Sequence, residues 1–326
     1  MFKTLVSPRG RLAAAFLALC APLAVAQDYP TRPIRFISTS PPGSGPDQII
    51  RIVANKLKER LGWSTVVENI AGGNFIIGTE AVARAAPDGY TIAVAVSSLT
   101  VLPYSRKDLP FDLRRSFVPI TRIGDLQNVL FSNPSVPATN LKELIAYSKA
   151  NPGKLNYGTP GSGTFAHLVV ELLKLQTGLD MTHVPYKGAP NIVPDVVSGV
   201  VQLGFTTIGG PVAGMIKNGR LRGVAVPGTQ RSPSIPDVPT VIEQGYPEFD
   251  ADGWVGLMAP ANTPAAVVAR LQREVAAVVQ LPEVREALLL QSVVPVVESP
   301  EQFRKKIDAD MQRWEKVIRE ARISFQ

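Results

Sequence analysis

Apolar runs of strand length and amphipathic runs of helix length alternate along this chain, and the alternation is laid down twice. Few folds accept such a pattern, because each strand–helix–strand unit favours parallel strands with helices packed on both faces. The first series runs through IRFIST (34–39), a helix over 47–62, STVVEN (64–69), a helix near 76–86 and TIAVAVSS (91–98). Within 47–62, Ile49, Ile50, Ile52, Val53, Leu57 and Leu61 share one helical face, and Gly62 supplies the stop. TIAVAV is continuously apolar, as a strand covered on both faces requires. The second series starts after Asp125. It comprises NVLFSN (128–133), a helix over 140–151, KLNYGT (154–159), a helix over 164–178, MTHVPY (181–186), a helix near 190–199, VQLGFTT (201–207) and RLRGVAVPG (220–228). A return strand near 253–259 and helices at 263–280, 282–291 and 299–322 close the chain.

The reading is two α/β lobes, each with a mostly parallel sheet. The closing segments are expected to return to the first lobe, which is then discontinuous: 27–126 with 253–326, and 127–252 as the second lobe. The two crossings between them would form a hinge.

Residues 1–26 carry Lys3, Arg9 and Arg11, then an apolar stretch from Leu12 to Cys20, then Ala24-Val25-Ala26. That order reads as an export signal cleaved after Ala26, with an apolar core shorter than the ~20 residues of a membrane span. The signal holds three of the 34 basic residues and none of the 27 acidic ones, so the net charge falls from +7 to +4 on cleavage. A mild positive bias without basic–aromatic clusters suits small anions and argues against nucleic acid. Cys20, the single cysteine, lies in the signal behind Leu19, which argues for export without a lipid anchor. The mature chain then has no disulfide and no cysteine ligand, and its address is the periplasm.

The tetrapeptide PGSG stands at 42–45 and again at 160–163, each time between a strand and a helix. Glycine permits close approach to the backbone, and the following helix offers unpaired N–H groups at the positive end of its dipole. Each copy is also an ordinary turn composition, but two copies in matched settings point to two halves of one anion clamp across a cleft. Sharper motifs fail. No Lys-Ser or Lys-Thr follows either copy, so there is no Walker A loop, and neither fits G-x-S-x-G. The two histidines, His167 and His183, have no metal-ligand spacing, so neither metal nor cofactor is expected. His167 in the first turn of its helix reads as a neutral structural residue, and His183 as a hydrogen-bonding core residue. An enzyme using Ser44 or Ser162 as nucleophile lacks a base and an orienting group at a workable spacing.

The chain resembles the receptors of tripartite tricarboxylate transporters, first known as Bordetella uptake gene products. The likeness is carried by YPTRPIRF (29–36), PPGSGPD (41–47), VVENIAGG (66–73), APDGYTIAV (86–94), NPGKLNYGTPGSGTFAHL (151–168), HVPYKGAP (183–190) and RSPSIPDVPTVIEQGYPEF (231–249), with the run from Gly253 to Pro264. It implies a two-lobed, type II-like Venus flytrap that closes on an organic anion in the interdomain cleft and hands it to a membrane permease. The expected form is a monomer, and a sensor kinase is the alternative recipient. Carried over by position, the first-lobe ligand set is Thr39, Ser40, Gly43, Ser44 and Gly45, with Gly73, Asn74, Phe75, Ser97 and Ser98. The second-lobe set is Thr159, Gly161, Ser162, Gly163, Thr164, Thr206 and Thr207. Asp47 reads as a helix cap rather than a ligand contact. Departures from the family pattern bear on specificity: Phe75 stands where a glycine is common and Thr206 where an Asp is frequent. An organic anion without an ammonium group, aromatic or dicarboxylic, fits that change; Phe75 either faces the ligand or packs into its own lobe.

Overall fold

The computed structural model describes residues 29–323 apart from 210 and 250. The export-signal reading lies outside the described residues. In chain order the strands and helices are β1 (Ile34–Ser38), α1 (Gly45–Leu61), β2 (Thr65–Asn69), α2 (Ile76–Ala83), β3 (Thr91–Val96), α3 (Leu102–Ser105), β4 (Phe117–Leu126), β5 (Asn128–Ser132), α4 (Leu141–Ala150), β6 (Asn156–Thr159), α5 (Phe165–Thr177), β7 (Thr182–Pro185), α6 (Ile192–Ser198), β8 (Leu203–Thr207), α7 (Pro211–Lys217), β9 (Arg222–Ala225), β10 (Gly253–Pro260), α8 (Ala265–Val279), α9 (Pro282–Leu290), β11 (Val293–Pro295) and α10 (Pro300–Glu320).

They build two sheets. The first has the order β11-β4-β10-β3-β1-β2 and the second β7-β6-β8-β5-β9. Strands β2, β1 and β3 are parallel, and β10 enters antiparallel between β3 and β4. In the second sheet β7, β6 and β8 are parallel, with β5 antiparallel to β8. The chain crosses between sheets at Gln127, whose N–H donates to Ser292 O and whose carbonyl accepts from Ile208 N. It returns ahead of Gly253.

Strand β4 escapes a reading based on alternation because it carries Pro119, and proline is barred from most strand interiors. Here Pro119 faces Met258 beside a register shift between Leu257 and Met258, and β11 covers only residues 124–126 of the other edge. The missing N–H therefore leaves no ladder bond broken. Ser97 and Ser98, by contrast, leave the apolar strand and open a 3-10 turn.

Both faces of the first sheet are covered. Ile34, Phe36, Ile92, Val94, Val255 and Leu257 pack under α1, α8 and α9, while Ile37, Ala93, Ala95, Trp254 and Met258 face α10 and the α2–α3 side. Helix α10 begins in a capping box, with Ser299 and Gln302 satisfying each other's backbone N–H groups. It lies on β10 at Gly256, where a Cβ would stand 2.5 Å from the Phe303 ring, so only glycine admits that approach. Its next turns bring buried Asp310 to Trp254, whose indole N–H donates to Oδ2 at 2.8 Å, while Lys306 and Arg313 both reach Oδ1 at 3.1 Å. One turn further, Trp314 and Val317 join the core of the second sheet, with Trp314 edge-on to Phe165 at 5.4 Å. One helix thus seats in both halves.

Removing the carboxylate of Asp310 leaves the buried Trp254 indole N–H without its acceptor and takes a shared anion away from Lys306 and Arg313. Asp310→Ala is expected to lower unfolding stability by about 3 kcal/mol, read from urea denaturation.

Candidate ligand site between the two sheets

The parallel strands β1, β2 and β3 end at the same edge of the first sheet, and β7, β6 and β8 at the same edge of the second. Those two edges meet at the crossings. A methyl group placed on Gly253 would stand 3.3 Å from Ser97 Oγ and 3.4 Å from Asn128 Nδ2, and Asn128 is paired in register with Thr207. The end of β3 and the end of β8 are therefore neighbours. The loops 39–44, 70–75, 160–164 and 186–188, together with the 3-10 turn from Ser97, all leave from these strand ends.

The sequence repeat and the structural repeat differ by two residues. Ser44 is the N-cap of α1 and Thr164 the N-cap of α5, so Gly43 corresponds to Gly163 and Pro41 to Gly161. The correspondence holds atom by atom. Gly43 (φ 77°) and Gly163 (φ 67°) are both left-handed, a conformation natural to glycine. Gly43 N–H donates to Asp47 Oδ2 at 2.8 Å, and Gly163 N–H donates to His167 Nδ1 at 3.0 Å. Ser44 Oγ donates to Pro41 O at 2.7 Å, and Thr164 Oγ1 donates to Gly161 O at 2.8 Å. Asp47 and His167 thus hold the same place, and each ties down its loop from the first turn of its helix. The cap position read from sequence at Asp47 belongs instead to Ser44, and Asp47 acts from the first turn on the N–H of Gly43, the residue before that cap.

Burial by itself would raise the Asp47 pKa, but hydrogen bonds from Arg51, Gly43 N and Asn69 with the Arg51 charge hold it below the usual carboxylate range. Burial lowers His167, against the opposing charge of Glu171, and its Nδ1 acts as an acceptor, so the ring is neutral at pH 7. Its ring stacks on His183 at 3.9 Å. His183 is driven down to about 3 by burial, then by His167 and Lys174, and its Nε2 lies 2.7 Å from Thr159 Oγ1. Below them Glu171 accepts from the Tyr157 hydroxyl at 2.6 Å and from Lys174 at 2.7 Å. The second loop rests on a closed polar network.

The expected ligand residues divide into two groups. Thr39 (to Val94 O), Ser44, Thr159 and Thr164 spend their hydroxyl protons on nearby carbonyls, and Gly43 and Gly163 spend their N–H groups on Asp47 and His167. Gly161 turns its carbonyl inward to accept from both Thr159 and Thr164. Ser40, Ser97, Ser98, Ser162, Thr206 and Thr207 have no side-chain hydrogen bond among the described residues, and neither does Asn74. Ser40, Ser97 and Thr206 are buried, whereas Ser162, Thr207, Gly45 and Asn74 are exposed. Gly45 is the first residue of α1, where no helical acceptor serves its N–H. Phe75 caps α2 with φ 74° and packs partly buried against the cores on both faces of the first sheet. Lys187, which sequence reasoning passed over, leaves the end of β7 exposed at the same edge; it stands inside the quoted HVPYKG stretch.

Each half-site keeps a helix-start N–H without a helical acceptor, Gly45 at α1 and Phe165 at α5, while the loops around them differ. In the first loop Pro41, Pro42 and Pro46 have no N–H, and the N–H groups of Gly43 and Ser44 are bound internally. In the second, Thr164 and Phe165 stand at the start of α5, where N–H groups have no helical acceptors. Among the described residues no cluster of His, Cys, Asp and Glu could hold a metal, and no helix is long and apolar enough to cross a membrane.

Two α/β halves joined by crossings, with their loop edges facing, define a periplasmic solute-binding protein, and solved relatives share that fold. A protein from R. palustris solved with adipate has 30% identity and a TM-score of 0.77, covering 91% of this chain and 99% of its own. MatC from Rhodopseudomonas palustris with bound malate has 26% identity and a TM-score of 0.73, covering 89% and 100%. Residues 49–323 match the Tripartite tricarboxylate transporter family receptor, and the chain is 37% identical to Protein BugT of Bordetella pertussis over 93% of both. The chain belongs to this receptor family. It is a binding protein rather than an enzyme, as the resemblance read from its motifs implied.

Both histidines are held neutral by burial, so the folded state refuses protons that the unfolded chain accepts below about pH 6.5. Their contribution is complete above that value and lost progressively as pH falls toward the folded value of about 3 for His183. Urea midpoints at pH 7.5 and pH 4.5 are expected to show this loss. His183→Gln, which keeps a donor for Thr159, is expected to flatten it.

Proposed function

We propose that this chain captures a small organic carboxylate between its two halves and delivers it to a membrane permease of the tripartite tricarboxylate type. The observation that carries the reading is the convergence of unpaired hydroxyls from both sheets, Ser97 beside Asn128 and Thr207, at the chain crossings. A carboxylate is an acceptor-only group, and a ring of hydroxyl and N–H donors from two bodies binds it fully only when both are close. Ligand then shifts the population toward the closed form.

In this reading the lobes are 27–126 with 253–326, and 127–252, hinged at Gln127 and ahead of Gly253. The contacts of Trp314 and Val317 with the second core support α10 as a brace across that division. The chain is exported, cleaved after Ala26 and works as a monomer. Adipate and malate, bound by the two relatives, are the first ligands to try.

The test is a thermal-shift screen of ligand-stripped protein against aliphatic and aromatic carboxylates and amino acids. A ligand at a hundred times its dissociation constant stabilises by about 2.7 kcal/mol, a visible shift. Ser97→Ala and Thr207→Val are each expected to raise the Kd of any hit about fivefold, the worth of one hydrogen bond. A carboxylate hit whose affinity neither substitution changes would displace the site; a hit confined to another chemical class would displace the function.

A further inference from the structure

The ligand loops leave the carboxyl ends of β1, β2 and β3; the amino ends of the same strands hold a separate cavity of about 470 Å³. It forms where residues 29–33 lead into β1 and residues 61–64 lead into β2, with Arg270 of α8 as a further wall. The five residues of β1 set it roughly 17 Å from the ligand loops. Val267, one turn before Arg270, presses with Tyr29 on Gly89, which sets that face of α8 against the cavity. Tyr29 in turn stands edge-on to Trp63 at 6.3 Å and to Tyr90 at 5.0 Å, so the wall is a packed aromatic cluster.

Charge in this cavity is one-sided. Arg32 and Arg270 line it, and no Asp or Glu does. Arg32 is served from outside by Asp88 at 2.6 Å and lies over the Tyr90 ring at 4.0 Å. Arg270 makes no hydrogen bond or ion pair among the described residues, and its Nε is sealed from solvent without an acceptor. Glu274, one turn along α8, is the carboxylate spaced to serve it, but Glu274 bonds Arg273 at 2.8 Å instead. Arg122, whose Nε also lacks an acceptor, has Asp125 and Glu298 on its other nitrogens, an anion partnership that Arg270 is without. The indole N–H of buried Trp63 and the hydroxyl of Ser64 likewise make no hydrogen bond among the described residues. Buried polar groups are hydrogen-bonded almost without exception, and a guanidinium fork matches two oxygens of a carboxylate or phosphate. Water can serve one N–H, but it brings no counter-charge.

We propose that this cavity is a second anion site, separate from the clamp between the halves. It takes a small organic oxyanion, a carboxylate or a phosphate monoester, on the Arg270 guanidinium, with Trp63 and Ser64 as further donors. Every residue involved lies at the far end of the first sheet from the ligand loops, so the site stands whether or not the cleft binds a carboxylate.

The chain has three tryptophans, and Trp63 is the one that lines the cavity, while Trp254 and Trp314 are fully buried elsewhere. Each indole N–H gives its own nuclear magnetic resonance signal, and Trp63→Phe assigns the one from Trp63. The ligand-stripped full mature chain is titrated with phenyl phosphate, benzoate and neutral benzamide. The anions are expected to move the Trp63 signal, benzamide is not, and Trp254 and Trp314 stay in place. Arg270→Gln is expected to weaken that binding about tenfold, the worth of one charge-assisted hydrogen bond. Circular-dichroism melts confirm that the variant is folded. Ser97→Ala, on the cleft, is expected to leave the Trp63 titration unchanged. A response confined to phenyl phosphate or to benzoate supports the site and assigns its oxyanion. No movement with either anion, equal movement with benzamide, full affinity in Arg270→Gln, or a response lost in Ser97→Ala would overturn the inference and leave the receptor reading intact.

Discussion

Helix α10 holds the arrangement together, and it does so through one buried carboxylate. Asp310 fixes the helix to the first sheet through the Trp254 indole, and the same helix then offers Trp314 to Phe165 in the second half. Phe165 directly follows Thr164, the cap of the helix behind the second PGSG loop. A charge pair set beneath one sheet thereby orients the loop of the other. The Lys306 and Arg313 side chains make this possible, because an uncompensated carboxylate at that depth would be too costly to keep.

The two loops use equivalent scaffolding for different ends. An anionic Asp47 and a neutral His167 stand at the same position in the first turn, each accepting an N–H from the glycine before the cap. Asp47 is stabilised by Arg51 and Asn69, and His167 by stacking on His183 above the Glu171–Lys174 pair. Once each loop is tied down this way, the hydroxyls left over are those that nothing in the protein claims.

Much of the fold was legible because parallel α/β units write themselves in apolar runs and glycine stops: β1, α1, β3 and α5 lie within a residue or two of where their sequences put them. Strand β4 was not legible, since Pro119 speaks against a strand until the register shift opposite it is known. The repeated PGSG located both loops but misaligned them by two residues. Letters repeat at the glycines, whereas structure repeats at the caps, and a cap is defined by hydrogen bonds that a sequence does not display. Which hydroxyls are spent and which are open was likewise invisible, because Thr159 and Thr206 look alike until Gly161 O is placed.

The position of β10 has a consequence for how the molecule comes together. Among the described residues that strand alone pairs β4 with β3, and it follows the whole of the second sheet in the chain. Until residues 253–260 arrive, the first sheet is two fragments with open edges, whereas the second sheet has every one of its strands. The second sheet thus has all its strands by residue 225, whereas the first closes later, around a strand that must enter between two others. Such late, long-range insertion is slow and leaves strand edges exposed while it waits, so it sets the interval in which this chain is most open to aggregation.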